Sequence, residues 1–187
     1  FHVLLHGLLE KKHQVDVLVA SDVPGDIEQA KQRFKDWPNF SIFPFSKSSG
    51  LLGKLKTVLE PGRAAFSAEF AAKLASLNPD SYEIIHVEQT RGGWLFEAWA
   101  QKTLLNVHFL QSIDLAIARP VSLKQAILYR RWFQTEKRLI QKFPHVRTCS
   151  ERLTRVIRSW GEKRSLETIA FGIDHTLYPF IPEERRM

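Results

Sequence analysis

At 187 residues, with 44% hydrophobic and 25% charged side chains, the chain is long enough for one sizeable core, and no apolar run approaches the ~20 residues that a membrane span requires. A single cysteine, Cys149, excludes an internal disulfide and a four-cysteine zinc site and fits a reducing cytosol. The formal net charge of +7 leaves nucleic acid, an anionic membrane surface or an anionic small ligand as partner classes, against a default in which dispersed cations merely solvate the surface.

Phe1, Leu4, Leu5, Leu8 and Leu9 recur at helical spacing, so the chain is expected to open inside a helix, without a signal-peptide cleavage site. A doubly wound fold normally begins with a strand, so residues upstream are expected. Lys11-Lys12-His13 places cations at the helix C-terminus, where the dipole favours them. Val15–Ala20 reads as a strand, residues 21–26 as a turn, and Asp26 as the cap of a short helix ending near Trp37-Pro38. Phe40–Phe45 reads as a strand that Pro44 pushes toward a sheet edge. A Ser/Gly/Lys loop over residues 46–53 leads into a helical stretch, 51–77, broken at Pro61-Gly62 and stopped by Asn78-Pro79-Asp80.

The stretch over residues 82–114 carries the densest chemistry. Ile84-Ile85-His86-Val87 reads as a buried parallel strand and Glu88-Gln89-Thr90-Arg91-Gly92-Gly93 as the loop at its carboxyl end. An amphipathic segment, 94–105, reads as a helix, and Val107-His108-Phe109-Leu110 as a second strand ending in Gln111-Ser112-Ile113-Asp114. Two strands joined by a helix form a βαβ unit, and open α/β sheets bind ligands just past the carboxyl ends of their strands. Glu88 there is either an acceptor contact or a partner of Arg91, whose planar fork suits a hydroxyl or phosphate. Gly92-Gly93 would let backbone approach a ligand at a helix N-terminus. His86 and His108, read as strand-interior residues, are assigned to structure.

Further on, a long helix is expected over residues 122–143, with Lys124, Arg130, Arg131, Lys137 and Lys142 on its polar side and Pro144 as its stop. Residues 145–149 read as a strand, Ser150 as the cap of a helix over 152–160, Gly161 as its C-terminal signal, and 166–170 as a last strand. Strands alternating with helices point to an α/β, Rossmann-like doubly wound fold with a mainly parallel sheet.

These residues together resemble the N-terminal domain of GT-B glycosyltransferases of family 4. Ser150-Glu151, Gly161 and Phe171-Gly172-Ile173-Asp174 with Tyr178-Pro179-Phe180 resemble the end of that domain, and His13-Gln14-Val15 stands where the family has Gly-His-Glu-Val. His86-Val87-Glu88-Gln89-Thr90-Arg91 resembles a strand end of a bacterial polysaccharide subgroup. Gln111 to Asp114, followed by a helix bearing Glu136, resembles a further family segment.

The resemblance implies that residues 1–180 are the acceptor-binding domain, lacking its first strand, and that 181–187 begin an interdomain linker, the donor domain being absent. It implies Asp114 as the catalytic residue and Glu88, Arg91, Gly92, Gly93 and Gln111 as acceptor-binding residues. A sugar or lipid-linked sugar would be the acceptor, and a nucleotide-sugar the donor, held by the missing domain. No cofactor and no metal are expected. The protein is expected to be cytoplasmic, with basic helices able to rest on a membrane. A basic non-catalytic α/β module for a nucleic acid or protein partner is the alternative, and nucleic acid is disfavoured because no known binding motif is present.

Overall fold

The computed structural model describes residues 2–21, 23, 25–45, 67–118, 122–161 and 166–170. The loop over 46–53, the helical stretch to residue 66, the turn at 171–174 and the expected linker all lie outside the described residues. Those described group into two compact units, one within residues 1–44 and one within 45–170.

In the first unit, α1 (His2–Glu10) leads to β1 (Val15–Ala20), then α2 (Asp26–Arg33) and β2 (Phe40–Phe45), and the two strands pair. Leu5 and Leu9, one helical turn apart, are buried with Val17 and Phe34, and alternate residues of β1, Val15 and Val19, pack on the same cluster. Lys12, at φ 64, takes the left-handed position that glycine often fills after a helix. Asn39 closes this end by donating to the His13 carbonyl at 2.5 Å. The cap of α2 is Gly25, at φ 92, whereas Asp26 stands in the first turn and accepts from Ser21 Oγ at 2.9 Å. The expected Asp26 cap is therefore displaced by one residue, because glycine adopts that backbone without a Cβ penalty.

The second unit opens with α3 (Ala68–Ala75), capped by Ser67, which accepts from the Phe70 N–H at 3.2 Å. Four strands follow: β3 (Ile85–Glu88), β4 (Thr103–Val107), β5 (His145–Thr148) and β6 (Glu167–Thr168). They lie in the order β3-β4-β5-β6, and every neighbouring pair is parallel. Between them run α4 (Thr90–Gly93) with its 3-10 continuation Trp94–Lys102, α5 (Gln111–Ile117), α6 (Leu123–Lys142) and α7 (Glu151–Ser159). This is the Rossmann-like, mainly parallel α/β architecture expected from the sequence.

The register fixes which side chains share a face. Ile85, Val87, Leu105, Val107, Val146 and Thr148 alternate with His86, Glu88, Asn106 and Arg147, and the pairs Glu88↔Asn106 and Asn106↔Arg147 align across the strands. Val87, Leu105, Val107 and Val146 join Leu110, Leu139, Ile140, Phe143, Leu153 and Ile157 in one core, so α5, α6 and α7 pack on that face. Burying each such side chain contributes about 1.5–3 kcal/mol. Hydroxyls also cross this side, from Thr148 to Thr154 at 2.5 Å and from Thr154 to Thr168 at 2.7 Å, linking β5, α7 and β6. The opposite face carries His86, Glu88, Asn106 and Arg147 beside a buried Leu104.

The centre of the chain differs from expectation in frame. The second strand is Thr103–Val107, not residues 107–110, and Gln111 to Asp114 open α5 rather than ending a strand. Leu104 and Leu105 fit either a helical or a strand period. Burial of Thr103, Leu104, Leu105 and Val107 beside two flanking strands settles it. Helix α4 begins at Thr90, so Gly92-Gly93 close it instead of preceding it. Lys102 then fixes the entry to β4, donating to the Pro79 carbonyl at 3.2 Å and to Asp80 at 3.1 Å.

Candidate functional site

Two side chains spaced two apart on a strand share a face, and at the carboxyl ends of β3 and β4 this rule assembles a cluster. His86 and Glu88 come from β3; Asn106 comes from β4 and His108 from just past it. His108 Nε2 bonds Glu88 Oε2, and Asn106 Nδ2 donates to the same oxygen at 3.2 Å and lies 3.5 Å from Oε1. His86 Nε2 lies 3.3 Å from Oε1 but has no aligned hydrogen bond, although it is fully enclosed. Burial pushes the His86 pKa below its ordinary 6.5; Glu88 works against this, while Arg147 and His108 add to it. His86 is therefore a neutral imidazole behind a carboxylate that His108 and Asn106 hold in place. The side chains of His86, Glu88 and His108 are each about a quarter exposed or less, so the carboxylate is accessible yet fixed.

Backbone geometry marks the same place. Gln89, directly after Glu88, has φ 85 and ψ 145, a conformation essentially reserved for glycine. Its N–H donates to the Asn106 carbonyl at 2.8 Å, which ties the strained residue to β4. Cys149, at the end of β5, donates from Sγ to the His108 carbonyl at 3.1 Å and so anchors the imidazole-bearing segment from the other side.

The remaining expected residues fall into other settings. Arg91 is exposed on α4, with its guanidinium 5.8 Å from the centroid of the Trp132 ring. Gly93 is buried, and a Cβ there would stand 3.5 Å from Phe143 and 3.7 Å from Leu105 and Leu139, so it faces the core. Gly92 is half-buried beside it. Gln111 and Asp114 belong to a third grouping. Glu136, on α6, accepts from the Gln111 N–H at 2.7 Å, the Ser112 N–H at 3.2 Å and the Ser112 hydroxyl at 2.5 Å. The cap residue of α5, Leu110, offers no side-chain acceptor, so Glu136 supplies one from 25 residues away. Burial raises the Glu136 pKa; the three donors pull it down and nearby Asp114 pushes it up again. Asp114 itself is exposed.

His86, Asn106 and His108 are the members of the cluster that the sequence reading passed over. The signal was there: His86-x-Glu88 and Asn106-x-His108 each repeat a polar residue at the strand period. Among the described residues, no group of three or more His, Cys, Asp or Glu is arranged to hold a metal ion. What the cluster can do chemically is accept a proton from, or a hydrogen bond of, a ligand hydroxyl. Comparison with protein-family models, with curated proteins and with solved structures finds no match for this chain.

Proposed function

We propose that this chain is the acceptor-binding half of a nucleotide-sugar-dependent glycosyltransferase of GT-B family 4, acting in the cytoplasm on a bacterial polysaccharide or glycolipid. The observation that carries this reading is the Glu88 carboxylate, held by His108 and Asn106 at the carboxyl ends of two parallel strands. Support comes also from the order of the family-like segments along the chain and from the parallel sheet. A carboxylate fixed in this way suits an acceptor hydroxyl. In the retaining transfer that the resemblance implies, it takes the hydroxyl proton while the oxygen bonds the sugar's anomeric carbon on the face from which the nucleotide diphosphate departs. A neutral sugar needs only such fixed donors and acceptors, whereas nucleic acid would need a long basic track.

Asp114 keeps the catalytic role that the resemblance implies, and Arg91, Gly92 and Gln111 keep acceptor contacts, whereas Gly93 faces the core and takes none. Glu88 is the more enclosed of the two carboxylates and is the primary hydroxyl contact. The nucleotide-sugar donor is assigned to a second domain, and transfer needs both. Saturation-transfer NMR with a panel of free and polyprenyl-linked sugars tests the reading. Binding that Glu88→Gln and His108→Asn both weaken supports it. Binding lost only in Asp114→Asn moves the acceptor to α5, and binding of a nucleic acid duplex without any sugar favours the basic non-catalytic module.

A further inference from the structure

Gln89 turns the chain from β3 into α4 at φ 85 and ψ 145, one residue past Glu88. In a regular strand Gln89 would follow Ile85 and Val87 onto the face where the core lies. Against the φ of about −120° of parallel strands, the observed angle rotates the Cα–Cβ bond by roughly 155°. The rotation sends the chain to the core side, where Thr90 and Gly93 of α4 are buried, and carries the Gln89 Cβ to the side of His86 and Glu88. Glycine would make the same turn without a Cβ conflict, so the turn accounts for the positive φ and not for the side chain. Gln89 is half-buried, and its N–H is engaged by the Asn106 carbonyl at 2.8 Å. Among the described residues nothing hydrogen-bonds its side-chain amide. An amide that the fold does not use thus stands on a strained backbone beside a fixed carboxylate, and such strain collects where ligands are held.

We propose that Gln89 is a specificity-determining residue of the Glu88 site, its amide reading a second hydroxyl of the bound sugar beside the one that Glu88 takes. The inference rests on the reading of that site as a sugar site and names the feature by which it selects among sugars. An ionised carboxylate only accepts hydrogen bonds, whereas an amide donates and accepts. A hydroxyl next to the first meets this amide in one ring configuration and misses it in the epimer, which leaves the amide without its partner. The amide does not titrate, so Gln89 selects the ligand and takes no part in the proton transfer. Glycine at this position would give a more stable turn and a less selective site.

The test measures binding of the whole chain to free and polyprenyl-linked sugars of gluco, galacto and manno configuration, which differ at single hydroxyls. Wild type should prefer one configuration. Gln89→Ala keeps the strained backbone and removes the amide; it should bind the preferred sugar about tenfold more weakly and bind all three configurations alike. Gln89→Gly should lose the same preference while its melting temperature rises, a combination that a purely structural glutamine would not give. If wild type binds sugars and Gln89→Ala keeps both the affinity and the preference, Gln89 is removed and the sugar reading stands. Binding without any preference among the three, or a lower melting temperature for Gln89→Gly, also overturns the proposal. Wild-type protein that takes none of the sugars overturns it together with the sugar reading.

Discussion

Glu136 sits where a carboxylate costs most: it is 1% exposed, and three donors from the start of α5 surround it. Glu136→Ala should lower stability by about 3 kcal/mol, because it leaves buried donors unpaired. Glu136→Gln keeps one acceptor oxygen and should cost less; urea denaturation orders the two. Because burial raises the folded-state pKa above the ordinary 4.5, the native protein holds a proton that the unfolded chain has already released. Stability from this group therefore falls as the pH rises from 4.5 through the raised value. Glu136→Gln should remove that slope, and a slope that persists would assign it elsewhere. His86 has the opposite sign. Its folded-state pKa is lowered from 6.5, so on acidification the unfolded chain takes up a proton first and stability drops below 6.5. Urea melts of His86→Asn should show a flatter acid limb than wild type; an equally steep one would clear His86 of the effect.

At the scale of elements, the strained turn after β3 gives a separate expectation. Gln89→Gly should stabilise the fold by about 1 kcal/mol, since glycine takes φ 85 and ψ 145 without the Cβ conflict. A loss of stability on chemical denaturation would mean that the Gln89 side chain contributes more than its backbone costs. Local chemistry made several elements legible in the sequence. Ser122 and Ser150 do cap α6 and α7, accepting from Gln125 and Leu153, and Gly161 adopts φ 86 just past α7. What was not legible was set by partners distant in sequence. The frame of β4 depends on burial between β3 and β5, and the cap of α5 comes from Glu136. The positive φ of Gln89 has no turn residue to announce it. His108 lies just past β4, which ends at Val107, whereas His86 is strand-interior as expected and joins the candidate site only through the pairing of β3 with β4.

For the whole molecule, the proposed division of labour predicts that this chain binds UDP-, GDP- or ADP-sugars at most weakly. Titration calorimetry would read a micromolar dissociation constant if the donor site lay in this chain instead. In the complete enzyme, Asp114→Asn should slow transfer far more than it changes the melting temperature; unchanged turnover would remove Asp114 from the reaction. Glu88→Gln in the same background should have the larger effect if the enclosed carboxylate is the hydroxyl contact.

The strand order β3-β4-β5-β6 also bears on how the molecule is made. Each strand of this sheet pairs with the one synthesised just before it, so the loops to be closed are only as long as single crossovers. A chain emerging from the ribosome amino end first can lay down each strand against a finished neighbour, and none has to wait for a partner still to be translated. The growing edge is then always the newest strand, and the longest wait for a partner, from β4 to β5, lasts for the translation of α5 and α6.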